Sequence, residues 1–225
     1  MTRRAVVLLS GGLDSAVAAY TAKEDIGKRG ELYALSILYG QRHEKELGCA
    51  RDIGETLEVE NHIFQEIGLE NLVCSSLTGD EDVPLEGVTD EIPSTWVPQR
   101  NSIFLALAFA YAETVGADYI YTGFNVVDYS GYPDCRPEFV ERIEQGLNYA
   151  SKRFITTGKG FAIITPLMHL GKAEIVKAGL ELEVPFELTW SCYQGEEYAC
   201  GLCDSCRIRL EAFKLNGMND PILYK

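Results

Sequence analysis

No glycine loop in this chain carries the lysine of a Gly-x4-Gly-Lys-Ser/Thr phosphate clamp, so the usual holder of a β/γ-phosphate is missing and γ-phosphoryl transfer is disfavoured. No apolar run approaches the roughly 18 residues that a membrane-spanning helix needs. The start, Met1-Thr2-Arg3-Arg4 and five apolar residues, lacks the hydrophobic length of a secretion signal, so a cytoplasmic protein is expected. Basic runs are also missing: 34 acidic residues outnumber 20 lysines and arginines, for a formal net charge of −14. Nucleic-acid backbones are bound by neutralising several phosphates, and long nucleic acid is therefore not an expected partner. Seven cysteines, an odd number in a reducing compartment, argue against a disulfide framework and toward metal ligation or buried thiols. Internal repeats and low-complexity segments are absent. What remains, 225 residues with 46% hydrophobic content, is enough for one α/β domain with a small appendage.

The strongest local signal is Ser10-Gly11-Gly12-Leu13-Asp14-Ser15, between the apolar run Ala5 to Leu9 and the small residues Ala16-Val17-Ala18-Ala19-Tyr20. A strand that feeds a glycine turn and then a helix start presents unpaired N–H groups and the positive end of a helix dipole to an anion. The bland alternative is a glycine turn with no ligand. The motif resembles the pyrophosphate loop of the ATP pyrophosphatase superfamily, whose members cut ATP between the α- and β-phosphates. That resemblance makes Leu9, Ser10, Gly11, Gly12, Leu13, Asp14, Ser15, Ala16, Val17, Ala18 and Ala19 the expected ATP-binding segment.

Further along, Glu31 to Leu38 reads as a strand, and Gln41 to Leu57 as a charged helix with the buried stripe Leu47, Ala50, Ile53 and Leu57. His62 to Ile67 reads as a short strand. Residues 79–94, acidic with Pro84 and Pro93, read as a loop, either a lid or a solvated connector. Asn101 to Thr114 is too long and too apolar for a strand and is expected as a buried helix. Tyr119 to Gly123 and Phe161 to Ile164 read as strands, with Pro137 opening a helix between them that runs to Ala150. The alternation implies a doubly wound parallel sheet covered on both faces, with ligands at the carboxyl ends of the strands.

Cys192, Cys200, Cys203 and Cys206 follow the spacing C-x7-C-x2-C-x2-C, with a helix expected from Ser205 to Lys214. Four soft thiolates select a tetrahedral zinc or an iron–sulfur centre, and four ligands with no open position favour one structural Zn²⁺ per chain. Cys49 and Cys74 read as core thiols. On this pattern, residues 1–185 form the α/β domain and 186–225 a zinc-binding segment packed on it.

Several further blocks occur in order: Tyr39-Gly-Gln-Arg-His43, Val97-Pro-Gln-Arg-Asn101, Asp128-Tyr-Ser-Gly-Tyr-Pro-Asp-Cys-Arg136, Thr165-Pro-Leu-Met168 with Lys172-Ala-Glu174, and Trp190-Ser-Cys-Tyr193 leading into the cysteines. Together with the glycine loop they resemble the 7-cyano-7-deazaguanine synthase family of the queuosine pathway across nearly the whole chain. Leu13 stands where that family often has glutamine, and Leu38 where a polar residue often precedes the tyrosine. The resemblance implies an adenine nucleotide alpha hydrolase-like, Rossmann-like fold, and a homodimer. It implies small-molecule substrates, 7-carboxy-7-deazaguanine, ATP with Mg²⁺ and ammonia, and release of AMP and pyrophosphate.

Asp14, Ser15, Lys172 and Arg100 are then the candidate catalytic residues. Lys172 is the long cation expected at the β/γ-phosphates, an ordinary surface lysine being the alternative. Arg100, opening the buried helix, needs an anion or a structural salt bridge. Gln41, Arg42, His43, Asn101, Asp128, Tyr132, Asp134 and Arg136 are the candidate substrate contacts, with turn packing the alternative for the 128–136 block and helix capping for His43. His62 and His169 read as structural. Two other readings stay open. Superfamily relatives that thiolate tRNA make Cys135 a candidate sulfur carrier beside an iron–sulfur cluster. A non-catalytic nucleotide-binding module with a zinc knuckle is the other.

Overall fold

The computed structural model describes residues 2–40, 44–69, 96–127, 132–194 and 197–225. Its first strand, β1 (Arg4–Leu8), is followed by α1 (Leu13–Ile26), β2 (Glu31–Leu38), α2 (Glu44–Thr56), β3 (Asn61–Glu66) and α3 (Arg100–Val115). Then come β4 (Tyr119–Tyr121), α4 (Pro137–Tyr149), α5 (Lys152–Thr157), β5 (Ala162–Ile164), α6 (Lys172–Glu181) and α7 (Asp204–Leu215). The five strands form one parallel sheet in the order β3-β2-β1-β4-β5. This is the doubly wound α/β sheet expected from the alternating pattern.

β1 is central, and its apolar run is buried on both faces, as a parallel core strand requires. Ala5, Val7 and Leu9 point to one layer, with the small residues of α1, the stripe Ala50, Ile53 and Leu57 of α2, and residues of α6 and α7. Val6 points to the other layer, with Leu105, Ala108, Phe109 and Ala112 of α3 and Val140 of α4. The two-residue period of the strand thus divides one sequence between two cores.

Element positions follow the expected ones with shifts of a few residues. The helix expected from Gln41 is described only from Glu44, because 41–43 lie outside the described residues, as do the acidic 79–94 segment, Cys74 and Asp128. The α5 helix was not anticipated. It is only six residues long and has no buried residue, so it leaves no apolar period in the sequence; Ser151 caps its start and Gly158, at φ 72, its end. His62 is structural as expected: its Nε2 lies 2.8 Å from the Ser36 hydroxyl, which donates to the Leu9 carbonyl, and burial lowers its pKa to about 4.

Strand order places β1 between β2 and β4. The chain leaves β1 toward one edge of the sheet and returns on the other side at β4, so the loops after these two strands part from each other. In open α/β sheets that divergence is where ligands sit.

Candidate active site

A cleft of about 360 Å³ opens at this divergence, lined by Ser10, Gly12, Asp14 and Ser15 from the first loop, Gly123 and Asn125 beyond β4, and Lys172 at the start of α6. The first loop is held by its own hydroxyls. Ser10 Oγ and Ser15 Oγ are 3.0 Å apart, the Gly12 N–H donates to Ser10 Oγ at 3.2 Å, and Ser15 Oγ donates to the Gly12 carbonyl at 2.9 Å. Gly11 is demanded twice over: its φ is 89°, and a Cβ there would lie 2.0 Å from the Glu46 carbonyl oxygen of α2. Gly123 lets the end of β4 approach the start of α1, where a Cβ would come within 2.9 Å of the Asp14 and Ser15 backbone.

Lys172, 158 residues from Asp14 in sequence, places its Nζ 2.7 Å from both Asp14 carboxylate oxygens. It is the first residue of α6, after the Gly171 N-cap, and its side chain is only 12% exposed. A cation and a carboxylate therefore sit together at the mouth of the glycine loop.

The wall opposite is the start of α3. Gln99, the residue before it, holds a left-handed φ of 59°, a conformation that costs about 1–3 kcal/mol in a non-glycine residue. Arg100 donates to the Tyr39 hydroxyl at 3.3 Å and lies over the Tyr39 and Phe104 rings, and its buried Nε has no hydrogen-bond partner among the described residues. Burial opposes its charge, but Tyr39, Tyr132 and Asp134 outweigh that and hold its pKa above the ordinary arginine value. A buried guanidinium of this kind is costly unless its charge is answered.

Asn101 lines the cleft while its amide donates to the Asp134 carbonyl at 3.1 Å and to Cys135 Sγ at 3.2 Å. Asp134 accepts the Asn101 backbone N–H at 3.2 Å through one oxygen, and its other oxygen is buried without a partner among the described residues. Tyr132 and Cys135 reach the cleft. Arg136 is exposed at the N-cap of α4 and does not line it. Ala16, Val17, Ala18 and Ala19 are buried in the core as the body of α1. Of the expected substrate contacts, Gln41, Arg42, His43 and Asp128 lie outside the described residues.

Three contributors had no role assigned from the sequence, although Trp190 stands in one of the blocks quoted above. Glu46 on α2 faces the cleft with one carboxylate oxygen 3.6 Å from where a Gly12 Cβ would be. Burial pushes its pKa up to about 7, with Arg100 pulling the other way. It precedes the buried stripe of a helix rich in charge, and no motif marks it. Trp190 donates its backbone N–H to the Gly11 carbonyl at 2.9 Å and carries the Lys45 ammonium 3.6 Å from its ring centre. Arg209 on α7 lines the cleft floor and is fully buried, bonded to both Asp220 oxygens at 2.7 and 3.0 Å, to Thr189 Oγ1 at 2.7 Å and to the Phe186 carbonyl at 3.0 Å.

The four cysteines converge with their sulfurs all within 4.8 Å of one another. A tetrahedral zinc with Zn–S bonds of about 2.3 Å sets sulfurs about 3.8 Å apart, and Cys200 and Cys206 are 3.9 Å apart. Backbone N–H groups of Gln194 and Cys200 point at Cys192 Sγ, and those of Leu202 and Cys203 at Cys200 Sγ. This is a metal-competent cluster. It also borders the cleft, because Trp190 to Tyr193 form part of the wall. By contrast, burial and Asp134 push the Cys135 thiol up to about 12, so it stays protonated at neutral pH and is poorly suited to carry sulfur as a thiolate.

Residues 4–217 match the family model described as queuosine biosynthesis protein QueC. A 7-cyano-7-deazaguanine synthase of Thermoplasma volcanium is 47% identical over 228 residues, covering all of this chain and 92% of that protein. The enzyme of that name from Geotalea uraniireducens is 47% identical, with 100% and 98% covered, and that of Clostridium kluyveri 46%, with 99% and 98%. No helix among the described residues is long and apolar enough to cross a membrane.

Proposed function

The chain belongs to the QueC family of queuosine biosynthesis proteins, and on that premise we propose that it converts 7-carboxy-7-deazaguanine, ammonia and ATP to the 7-cyano compound, releasing AMP and pyrophosphate. The observation that carries this reading is the Lys172 ammonium on Asp14 over the Ser10 to Ser15 loop, at the divergence of β1 and β4. A carboxylate substrate is already a nucleophile at neutral pH. Its attack on the α-phosphorus needs in-line placement and neutralised charge more than a general base.

In this reading the loop N–H groups and the Ser10 and Ser15 hydroxyls hold the departing pyrophosphate, and Lys172 leaves Asp14 for its oxygens. Asp14, once released, is the group that would hold the Mg²⁺ accompanying ATP, which would lower the negative charge the nucleophile meets. Arg100 neutralises the substrate carboxylate or the α-phosphate. Asn101, Tyr132 and Asp134 shape the recognition of the flat base, with Gln41, Arg42, His43 and Asp128 as further contacts. Residues 1–185 carry the chemistry, and 186–225 hold one structural zinc through Cys192, Cys200, Cys203 and Cys206, bracing the loop through Trp190.

Incubation with 7-carboxy-7-deazaguanine, ammonium and Mg-ATP is expected to yield the nitrile with two AMP per product and no matching ADP, and the 7-amido compound should give nitrile with one AMP. ADP as the main nucleotide product would overturn the reading. Cys200→Ser is expected to lower zinc content and melting temperature together, since binding free energy at a structural zinc site is folding free energy, about 10–16 kcal/mol in isolated finger peptides and less on a larger core. Because Trp190 braces Gly11, the same variant should also raise KM for ATP. Elemental analysis of the unmodified chain should find zinc; iron with labile sulfide in its place would favour the sulfur-transfer reading.

A further inference from the structure

The proposed reaction leaves a proton without a home. When ammonia attacks the acyl-adenylate, a C–N bond forms, the C–O bond to AMP breaks with its electron pair going to AMP, and the nitrogen must shed one N–H proton. Ammonium, the dominant form at neutral pH, must lose another before it attacks at all.

Two carboxylates line the cleft among the described residues, Asp14 and Glu46. Asp14 is held by Lys172 through both oxygens. Glu46 has no hydrogen bond or ion pair with the described residues, yet it faces the cleft beside Gly12, across the loop that holds the leaving group. Such a carboxylate is costly unless it is used, because burial without a partner disfavours its charge.

We propose that Glu46 is the proton acceptor for the nitrogen nucleophile, taking the N–H proton as the amide forms. The inference rests on the substrate reading above. The step balances as acyl-adenylate, NH3 and Glu46 carboxylate giving amide, AMP and Glu46 carboxylic acid, after which the cleft returns the proton to water. Loss of the N–H protons in the amide-to-nitrile round places the same demand on the same site.

The charged and titratable groups around Glu46 are Arg100 from α3, Cys49 and Lys45 on its own helix, Tyr39 beyond β2, and Asp14 with Lys172 across the loop. Arg100 favours its ionised form; burial opposes it and sets its pKa near 7, where an acceptor can take and return a proton in each turnover. A carboxyl harder to ionise in the fold than in the unfolded chain costs stability as pH rises through 7, so the neutral amide in its place should melt no lower at pH 8.

The test is Glu46→Gln in the full-length, zinc-loaded chain. Exchange of labelled pyrophosphate into ATP with 7-carboxy-7-deazaguanine and no ammonium isolates adenylation; amide formation with ammonium reports the later step. Amide formation should fall about 10²-fold or more relative to exchange, and the acid limb of the wild-type pH profile near 7 should vanish. Hydroxylamine, largely unprotonated at neutral pH, should shrink the defect, and Glu46→Asp should restore part of the rate. Equal losses in exchange and amide formation, or an undiminished amide rate, would overturn the inference alone. No exchange in the unmodified chain would overturn the substrate reading and the inference with it.

Discussion

Lys172→Met is expected to lower turnover by about 10³-fold or more, the range lost when a single preorganised cation or oxyanion donor is removed from a developing charge. The ammonium lies 2.7 Å from both Asp14 oxygens, which holds it over the loop. Stability should hardly change. The pair is partly solvated, with Asp14 29% exposed, and pairs of this kind contribute about 0–1 kcal/mol. Acid-dependent pyrophosphate exchange should fall in parallel with overall turnover while the melting temperature moves by no more than roughly 4 °C. Turnover within tenfold of the unmodified chain would make Lys172 a structural partner of Asp14 and nothing more.

Asp220→Ala should have the largest effect on stability. Arg209 and Asp220 are 2% and 1% exposed, and the guanidinium reaches Thr189, the Phe186 carbonyl and both Asp220 oxygens. Asp220 also accepts from the Tyr224 hydroxyl, so one carboxylate ties α7 to the last residues of the chain. Removing it strands a buried charge, at a cost of about 3–5 kcal/mol, or roughly 6–20 °C in melting temperature for a chain of this size. Arg209→Met combined with Asp220→Ala should recover a large part of that loss, since no charge is then left unpaired. A double variant no more stable than the single one would assign the effect to lost packing.

The two residues differ in how they were found. Lys172 stands in a Gly-Lys pair after the last strand, a local cue for a helix start near the carboxyl end of a sheet. Arg209 and Asp220 lie in a helix and a tail of ordinary composition, and no spacing rule joins an arginine to an aspartate eleven residues on, beyond the helix end. Glu46 is harder still. An acidic residue on a charged helix is normally solvated, and only the position of Gly12 reveals that this one faces a cleft.

By itself the sequence determined most of the elements, α5 excepted, and the kind of chemistry. Two glycines before a run of small residues, a continuous apolar strand, a helical stripe from Leu47 to Leu57 and four cysteines at short spacing each act within a few residues, through backbone hydrogen bonds, side-chain period and ligand reach. Only the tertiary structure decided which charges meet. Placing β4 beside β1 brings Gly123 against the start of α1, and the return of α6 to the α1 face brings Lys172 to Asp14. The Trp190 segment then closes on Gly11. Coulomb energy and desolvation depend on distance and burial in space, which the order of residues along a chain does not carry.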